Sequence, residues 1–242
     1  MWSIDTDAHA PNEVVTSSWD NKVKVWDLNA LDTSLSLDST YTFKYHPAAI
    51  LGLKCKDGLL HTGCYDKKIR IFDPRANTLV VEEAIHRRPI INIAVTDKYF
   101  LSGSEDKTVG VYDLRANKKL LQLQLDTPVL SMNVAVDVGF HYLRVGGKDG
   151  SFYLFDMSSD RFTLLDSMQL WSQHKVTQLC NFHGALAACS QDGSVRMYTP
   201  DRNMKFLHKF EFHSGEVASC HYRKGLFVTG SSDNEVMLWR VK

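Results

Sequence analysis

The sequence predicts an all-β fold, a β-propeller built from repeated four-stranded sheets. Three observations carry the prediction. Six segments share one pattern: TSSWDNKVKVWD (16–27), TGCYDKKIRIFD (62–73), SGSEDKTVGVYD (102–113), VGGKDGSFYLFD (145–156), ACSQDGSVRMYT (188–199) and TGSSDNEVMLWR (229–240). Their aspartates, Asp20, Asp66, Asp106, Asp149, Asp192 and Asp233, recur every 40 to 46 residues, a period that signals a stacked repeat. Each segment also alternates apolar and polar residues with the two-residue period of a strand.

Each segment reads as a hairpin. Small residues lead into an aspartate, a polar turn follows, and an alternating run such as Val23/Val25/Trp26, Ile69/Ile71/Phe72 or Val109/Val111/Tyr112 ends on an aromatic. The Asp-Gly, Asp-Lys and Asp-Asn pairs are turn formers. Upstream lies another short apolar run, at 50–54, 90–95, 129–134, 176–180 and 217–221, and amphipathic stretches at 78–84, 119–125 and 205–212 separate the repeats. That makes four strands per repeat, the content of a propeller blade. The repeats fall at about 1–28, 29–74, 75–114, 115–157, 158–200 and 201–242 within a single domain, 1–242.

These segments resemble the WD40-repeat family over the whole chain. The Trp-Asp dipeptide stands intact at Trp26-Asp27; Phe72-Asp73, Tyr112-Asp113 and Phe155-Asp156 are conservative variants, and Tyr198-Thr199 and Trp239-Arg240 depart further. The resemblance implies a hydrogen-bonded tetrad of His213, Thr229, Asp233 and Trp239. Shorter versions recur as His86, Ser102 and Asp106, and as His46, Thr62 and Asp66. A hydroxyl, a histidine and an aspartate also invite a catalytic-triad reading, but a catalytic site is needed once and a blade-stabilising network in each blade. Buried polar groups must be paired, and this arrangement pairs them. Two repeats are expected to lack the full network and to be less rigid. Asp126 stands where a histidine is expected in the fourth, with Val145 in place of the hydroxyl. The fifth has His174 but Ala188.

Composition narrows the function classes. Lys plus Arg and Asp plus Glu each total 28, for a formal net charge of zero, which argues against a phosphate-driven nucleic-acid binder. No apolar run approaches a membrane span, and the N-terminal residues do not read as a secretory signal. Five cysteines without a C-x-x-C pair are expected to be reduced thiols packed in strands of a cytoplasmic or nuclear protein. No zinc-ligand spacing, phosphate loop or nucleophile elbow occurs. No metal, cofactor or catalytic residue is expected, nor nucleic-acid or membrane partners.

The expected partners are proteins or peptide segments. In the family resembled, the binding face carries the residue before each turn aspartate, here Trp19, Tyr65, Glu105, Lys148, Gln191 and Ser232. It also carries residues entering the innermost strand, including Trp2, Leu51, Ile91, Leu130, Thr177 and Ala218. Exposed aromatics are typical anchors of such interfaces, although Leu51, Ile91 and Leu130 read equally well as strand core. Arg87 and Arg88 read as a solvated loop. Without a ring of arginines to read phosphate, the expected ligand is an apolar or aromatic peptide segment.

The strand arithmetic leaves six inner three-strand sets and five outer strands, so the expectation is an N-terminally incomplete propeller from a seven-bladed ring, with a six-bladed ring holding one three-stranded blade as the alternative. Within the WD40 group, IRIFDPRAN (69–77), HRRPI (86–90), SGSEDKTVGVYDLRAN (102–117) and the closing VMLWRVK resemble the F-box/WD subunits of cullin-RING ubiquitin ligases. That resemblance implies a substrate-recruiting propeller, whose F-box would lie outside these residues. Two alternatives stay open. Aromatic-Asp-x-Arg at 72–75 and 112–115 resembles the box of cullin-4 receptors, with Arg75 and Arg115 contacting the adaptor. The other is a scaffold unrelated to ubiquitin.

Overall fold

The computed structural model describes residues 2–7, 10–30, 38–137 and 140–240. Antiparallel strands dominate it, and the hairpin between the second and third strands of each sheet turns on a repeat aspartate. In all six turns an aspartate Oδ1 accepts the backbone N–H two residues on: Lys22, Lys68, Thr108, Ser151, Ser194 and Glu235, at 3.0 to 3.2 Å. The residue between takes a left-handed conformation each time, at Asn21, Lys67, Lys107, Gly150, Gly193 and Asn234. The side chain thus mimics a backbone turn, which only a short acceptor does well. Two of these positions also demand glycine for space. A Cβ on Gly150 would lie 2.1 Å from the Trp171 carbonyl oxygen, and one on Gly193 2.4 Å from that of His213.

The chain divides into two compact units, Met1–Gln124 and Leu125–Lys242. The first holds three four-stranded sheets. They comprise β1 (Ser3–Asp7), β2 (Ala10–Ser17), β3 (Val23–Asp27) and β4 (Tyr41–Phe43); β5 (Ile50–Lys56), β6 (Leu59–Cys64), β7 (Lys68–Asp73) and β8 (Thr78–Ala84); and β9 (Ile90–Val95), β10 (Tyr99–Ser104), β11 (Thr108–Asp113) and β12 (Lys118–Gln124). The second unit holds two more four-stranded sheets: β13 (Val129–Asp137), β14 (Phe140–Gly147), β15 (Ser151–Asp156) and β16 (Thr163–Gln169), then β17 (Val176–Phe182), β18 (Ala185–Ser190), β19 (Ser194–Tyr198) and β20 (Phe206–Glu211). Its third sheet has β21 (Val217–Arg223), β22 (Leu226–Ser231) and β23 (Val236–Arg240). Strands pair in chain order within every sheet, so the outer strand of a sheet opens the next sequence repeat. Sheet and repeat boundaries are therefore offset by one strand.

Within each unit, apolar residues of a third strand meet the inner strands of the sheet that follows in that unit. In the first unit Val23 and Val25 pack with Ile50, Leu53 and Leu60, and Ile69 and Ile71 with Ile90, Ile93 and Phe100. In the second unit Phe152 and Leu154 pack with Val176, Leu179 and Leu186, and Val195 and Met197 with Val217, Cys220 and Phe227. The matching residues of β23, Val236 and Leu238, are 75% and 65% exposed. On β1, Ile4 is 57% exposed, although Leu53 and Ile93 at the same place are buried. One outer face of each unit is thus uncovered.

This contrast sets a stability prediction. Leu154→Ala should cost about 2–5 kcal/mol in urea unfolding, as for a buried leucine. Leu238→Ala should cost less than about 0.5 kcal/mol. Equal losses would show that Leu238 is covered in solution.

All five cysteines lie in strands as free thiols. Burial pushes the Cys55 thiol up to about 12 and the Cys64 thiol to about 11, which leaves both unreactive as nucleophiles. Among the described residues, no helix is long and apolar enough to cross a membrane.

Candidate protein-interaction site

The second oxygen of each turn aspartate decides what else that sheet can build. In the third sheet, His86 Nδ1 lies 3.1 Å from Asp106 Oδ2 and its Nε2 lies 2.7 Å from Ser102 Oγ. The carboxylate fixes the tautomer: Nδ1–H donates and Nε2 accepts the serine hydroxyl. The Arg87 N–H also donates to Asp106 Oδ2, and Thr108 and Gln122 extend the chain. Gly110, opposite Ser102 in the ladder, makes room, because a Cβ there would press on Ile85, Ser102 and His86. The sixth sheet repeats the pattern, with His213 Nδ1 2.9 Å from Asp233 and Nε2 2.8 Å from Thr229 Oγ1. Desolvation alone would raise the Asp233 carboxyl, but hydrogen bonds from Glu235, His213, Ser231 and Ser214 outweigh it and hold the pKa at about 2. Glu235 also has a ligand atom near His213 and Asp233, yet both His213 nitrogens are already engaged, as in a structural network.

Two members of the expected networks are placed differently. His46 Nε2 reaches Thr62 Oγ1 at 2.8 Å, but Asp66 does not complete the set. Arg70 stands opposite Thr62 and takes both Asp66 oxygens, at 3.2 and 2.5 Å, while its Nε donates to Glu82 at 2.7 Å. His46 Nδ1 is left buried with no partner among the described residues. A guanidinium competes for the carboxylate more strongly than a neutral imidazole, and an arginine four residues after the aspartate was the sequence signal for it. Trp239 does not close the tetrad either. Its Nε1 is buried with no partner, and its ring stacks on Phe212 at 4.0 Å. The indole-to-hydroxyl bond occurs instead in the first sheet, from Trp26 Nε1 to Thr16 Oγ1 at 2.9 Å.

In the fifth sheet the histidine–hydroxyl–aspartate network is incomplete, as expected, and Asp192 takes a different partner. Trp171 Nε1 donates to Asp192 Oδ2 at 2.9 Å, and the Arg196 guanidinium lies 4.4 Å over the Trp171 ring. An indole has one donor and no acceptor, so it needs no hydroxyl partner, and Ala188 is compatible with it. His174 is exposed. In the fourth sheet Thr127 Oγ1 accepts the Asp149 N–H at 3.3 Å.

Asp20 differs from the aspartates of the second, third, fifth and sixth sheets. Among the described residues its carboxylate receives only the Lys22 N–H of its own turn, and the residue is exposed. Beside it stands an aromatic cluster. The Ile50 N–H donates to the Ser18 carbonyl, and Ile50 pairs with Cys64. This linkage brings Trp19 and Tyr65, the next residues along, to one place. Trp2 joins them because its N–H donates to Ser17 O at 2.7 Å. The Trp2 and Trp19 rings meet edge to face at 5.7 Å, and those of Trp19 and Tyr65 tilt by 47° at 6.2 Å. All three are bare: Trp2 53%, Trp19 57% and Tyr65 48% exposed.

The remaining expected contacts divide. Leu51 is a correction: the register shifts between Ile50 and Gly52, and Leu51, the extra residue of that bulge, is buried and offers no partner surface. In the first unit Ile91 and Glu105 are half-buried. In the second unit Lys148, Gln191, Ser232 and Ala218 are exposed, and Leu130 and Thr177 are half-buried. Sequence reasoning placed Trp2 among residues entering an inner strand, but its pairing with Trp19 emerges only in three dimensions. Arg75 and Arg115 are exposed, and their backbone N–H groups are held by Asp73 and Asp113 at 2.9 Å. The aspartate of the aromatic-Asp pair therefore caps the turn that follows it.

The sequence pattern described as "WD domain, G-beta repeat" matches residues 2–27 and 204–240, where the first and sixth aspartate turns and their sheets lie. These segments are WD40 repeats. The six sheets of the chain are propeller blades. F-box/WD repeat-containing protein 9 of Homo sapiens is 30% identical over 243 residues, and that of Bos taurus 29%. Each match covers 100% of this WD40 chain and 50% of the relative, so the chain spans half the length of these relatives. Coronin-2A of Bos taurus is 37% identical over 75 residues, 30% of the chain and 14% of that protein. Among solved structures, the computationally designed Ika8 protein superposes with a TM-score of 0.70 at 18% identity, covering 95% of this chain and 81% of that one. That likeness concerns the fold alone.

Proposed function

We propose that this WD40 chain is a non-catalytic protein-interaction propeller that recruits a protein substrate to a cullin-RING ubiquitin ligase, with Trp2, Trp19 and Tyr65 as its contact surface. The carrying observation is the bare aromatic cluster of the first unit. Aromatic side chains left in water are costly surface that a partner would cover with gain. The ligase assignment rests on the likeness to F-box/WD repeat-containing protein 9 along the whole chain. The histidine–aspartate pairs support a non-catalytic reading, because two blades repeat them with the same partners and both nitrogens engaged. The reading places the protein in the cytoplasm or nucleus, with protein partners and no cofactor.

Affinity purification from cells tests it. The wild-type protein, expressed at its full natural length, should recover a Skp-type adaptor and cullin together with a substrate set. Trp19→Ala/Tyr65→Ala should lose the substrate set and keep the adaptor, with its thermal midpoint unchanged to within about 2 °C. Unchanged substrate recovery would refute the surface. A second reading, a cullin-4 receptor, is favoured by the exposure of Arg75 and Arg115 after two successive blades. Recovery of the cullin-4 adaptor, lost on Arg75→Ala/Arg115→Ala, would replace the first reading. Recovery of neither adaptor would leave a scaffold.

A further inference from the structure

The aromatic cluster has a chemistry narrower than general stickiness. We propose that Trp2, Trp19 and Tyr65, with Asp20 next to Trp19 in the chain, form a cage for a methylated ammonium group on a partner's side chain. The inference rests on the proposed partner surface and names what that surface reads.

Three features point to this ligand. The rings are neither coplanar nor parallel: Trp2 stands at 75° to Trp19, and Trp19 at 47° to Tyr65. The three rings therefore do not lie in one plane but present faces at an angle to one another. Each aromatic face carries the negative part of a quadrupole, so neighbouring faces attract a cation. Asp20 adds a full negative charge. The aspartates of the second, third, fifth and sixth blades spend theirs on Arg70, His86, Trp171 or His213, whereas among the described residues Asp20 is held only by its own turn.

The same inventory separates one cation from another. A plain lysine ammonium brings three N–H donors that must exchange water for acceptors, and a guanidinium brings five. Three ring faces and one carboxylate supply fewer acceptors than that, so either group would keep part of its water rather than pack closely on the rings. A trimethylammonium group has no N–H to satisfy and spreads its charge over methyl groups that pack on rings. It is the cation this set of side chains fits.

The test uses the 242-residue chain and small probes followed through the indole N–H resonances. Choline is titrated against 3,3-dimethyl-1-butanol, its uncharged isostere. N-acetyl trimethyl-lysine amide is titrated against the lysine, arginine and norleucine amides. Choline and trimethyl-lysine should shift the Trp2 and Trp19 resonances saturably and leave that of Trp171 in place. The uncharged isosteres should bind about tenfold more weakly. Trp19→Ala and Tyr65→Ala should remove the response. Asp20→Asn keeps the side-chain oxygen that accepts the Lys22 N–H and removes the charge, so it should weaken choline about two- to fivefold. No saturable shift, or equal binding of choline and its uncharged isostere, overturns the cage. Equal binding of lysine or arginine overturns the preference for methylation. If substrate capture still depends on Trp19 and Tyr65 while choline does not bind, the partner surface stands and this inference alone fails.

Discussion

Asp66→Ala is expected to destabilise the protein by about 3–5 kcal/mol. Arg70 is the reason. Its side chain is 2% exposed in the second blade, and Asp66 accepts two of its N–H donors. Burial works against the charged form of both groups, and their mutual hydrogen bonds outweigh it: the Asp66 carboxyl sits below its ordinary value and the Arg70 guanidinium above. Removing Asp66 leaves a buried guanidinium with Glu82 as its charged partner, and Glu82 also serves Lys68. The loss is then dominated by the stranded charge rather than by the missing bonds. Adding Arg70→Met removes that charge and should return most of the loss, since an apolar replacement of a buried ion pair is often close to neutral. Asp20→Ala is the control. It removes the same turn cap at an exposed site, and should cost only about 0.5–1.5 kcal/mol. Urea unfolding of the three variants reads the result. Equal losses at Asp66 and Asp20 would mean that Arg70 finds water or another acceptor.

The second large effect is acid destabilisation centred on two histidines of the same blade. Burial lowers His46 from 6.5 to about 4, with the Arg70 charge adding to the fall. Burial also lowers His61 to about 4, against an edge-to-face contact with Phe100 at 5.3 Å. Both are neutral in the folded protein, and His46 Nδ1 is buried with no partner among the described residues. A folded-state value below the unfolded one means that the unfolded chain binds more protons between the two. Stability is therefore fully present above pH 6.5 and falls as pH drops toward 4. Each histidine contributes about 3 kcal/mol of loss by pH 4. The carboxylates act lower down: Asp233, held at about 2, releases its contribution only below pH 3.8. The urea midpoint should thus drop steeply between pH 6.5 and 4, ahead of any carboxylate effect. His61→Leu should remove about half of that drop and cost little at pH 7.5. A midpoint flat across this range would show that both rings are reached by water.

The hairpins were readable before any coordinates because their cause is local. An aspartate side chain captures the N–H two residues along, and the next residue turns left-handed, all within a four-residue span. The third sheet's inner strand runs from Ile90 to Val95 as its alternation predicted. The polar networks were only half readable. Histidine, hydroxyl and aspartate fall at the right spacings in the second blade, yet Arg70 outcompetes His46 for Asp66. In the fifth blade the histidine–hydroxyl spacing is broken, and Asp192 takes Trp171 as its partner instead. Offsets along the chain state which groups are near; they do not state which of two donors wins a shared acceptor.

The amino-acid sequence by itself determined the WD40 repeat pattern, the strand content and the residues that flank each turn, because period-two alternation and turn capping are properties of neighbours in the chain. Only the tertiary structure decided that Leu51 turns inward at a bulge, that among the described residues Asp20 is held only by its own turn, and that Trp2, Trp19 and Tyr65 share one exposed cluster. These outcomes depend on strand pairing within a blade and on the packing of the first blade against the second, which make neighbours of residues 17 and 46 positions apart.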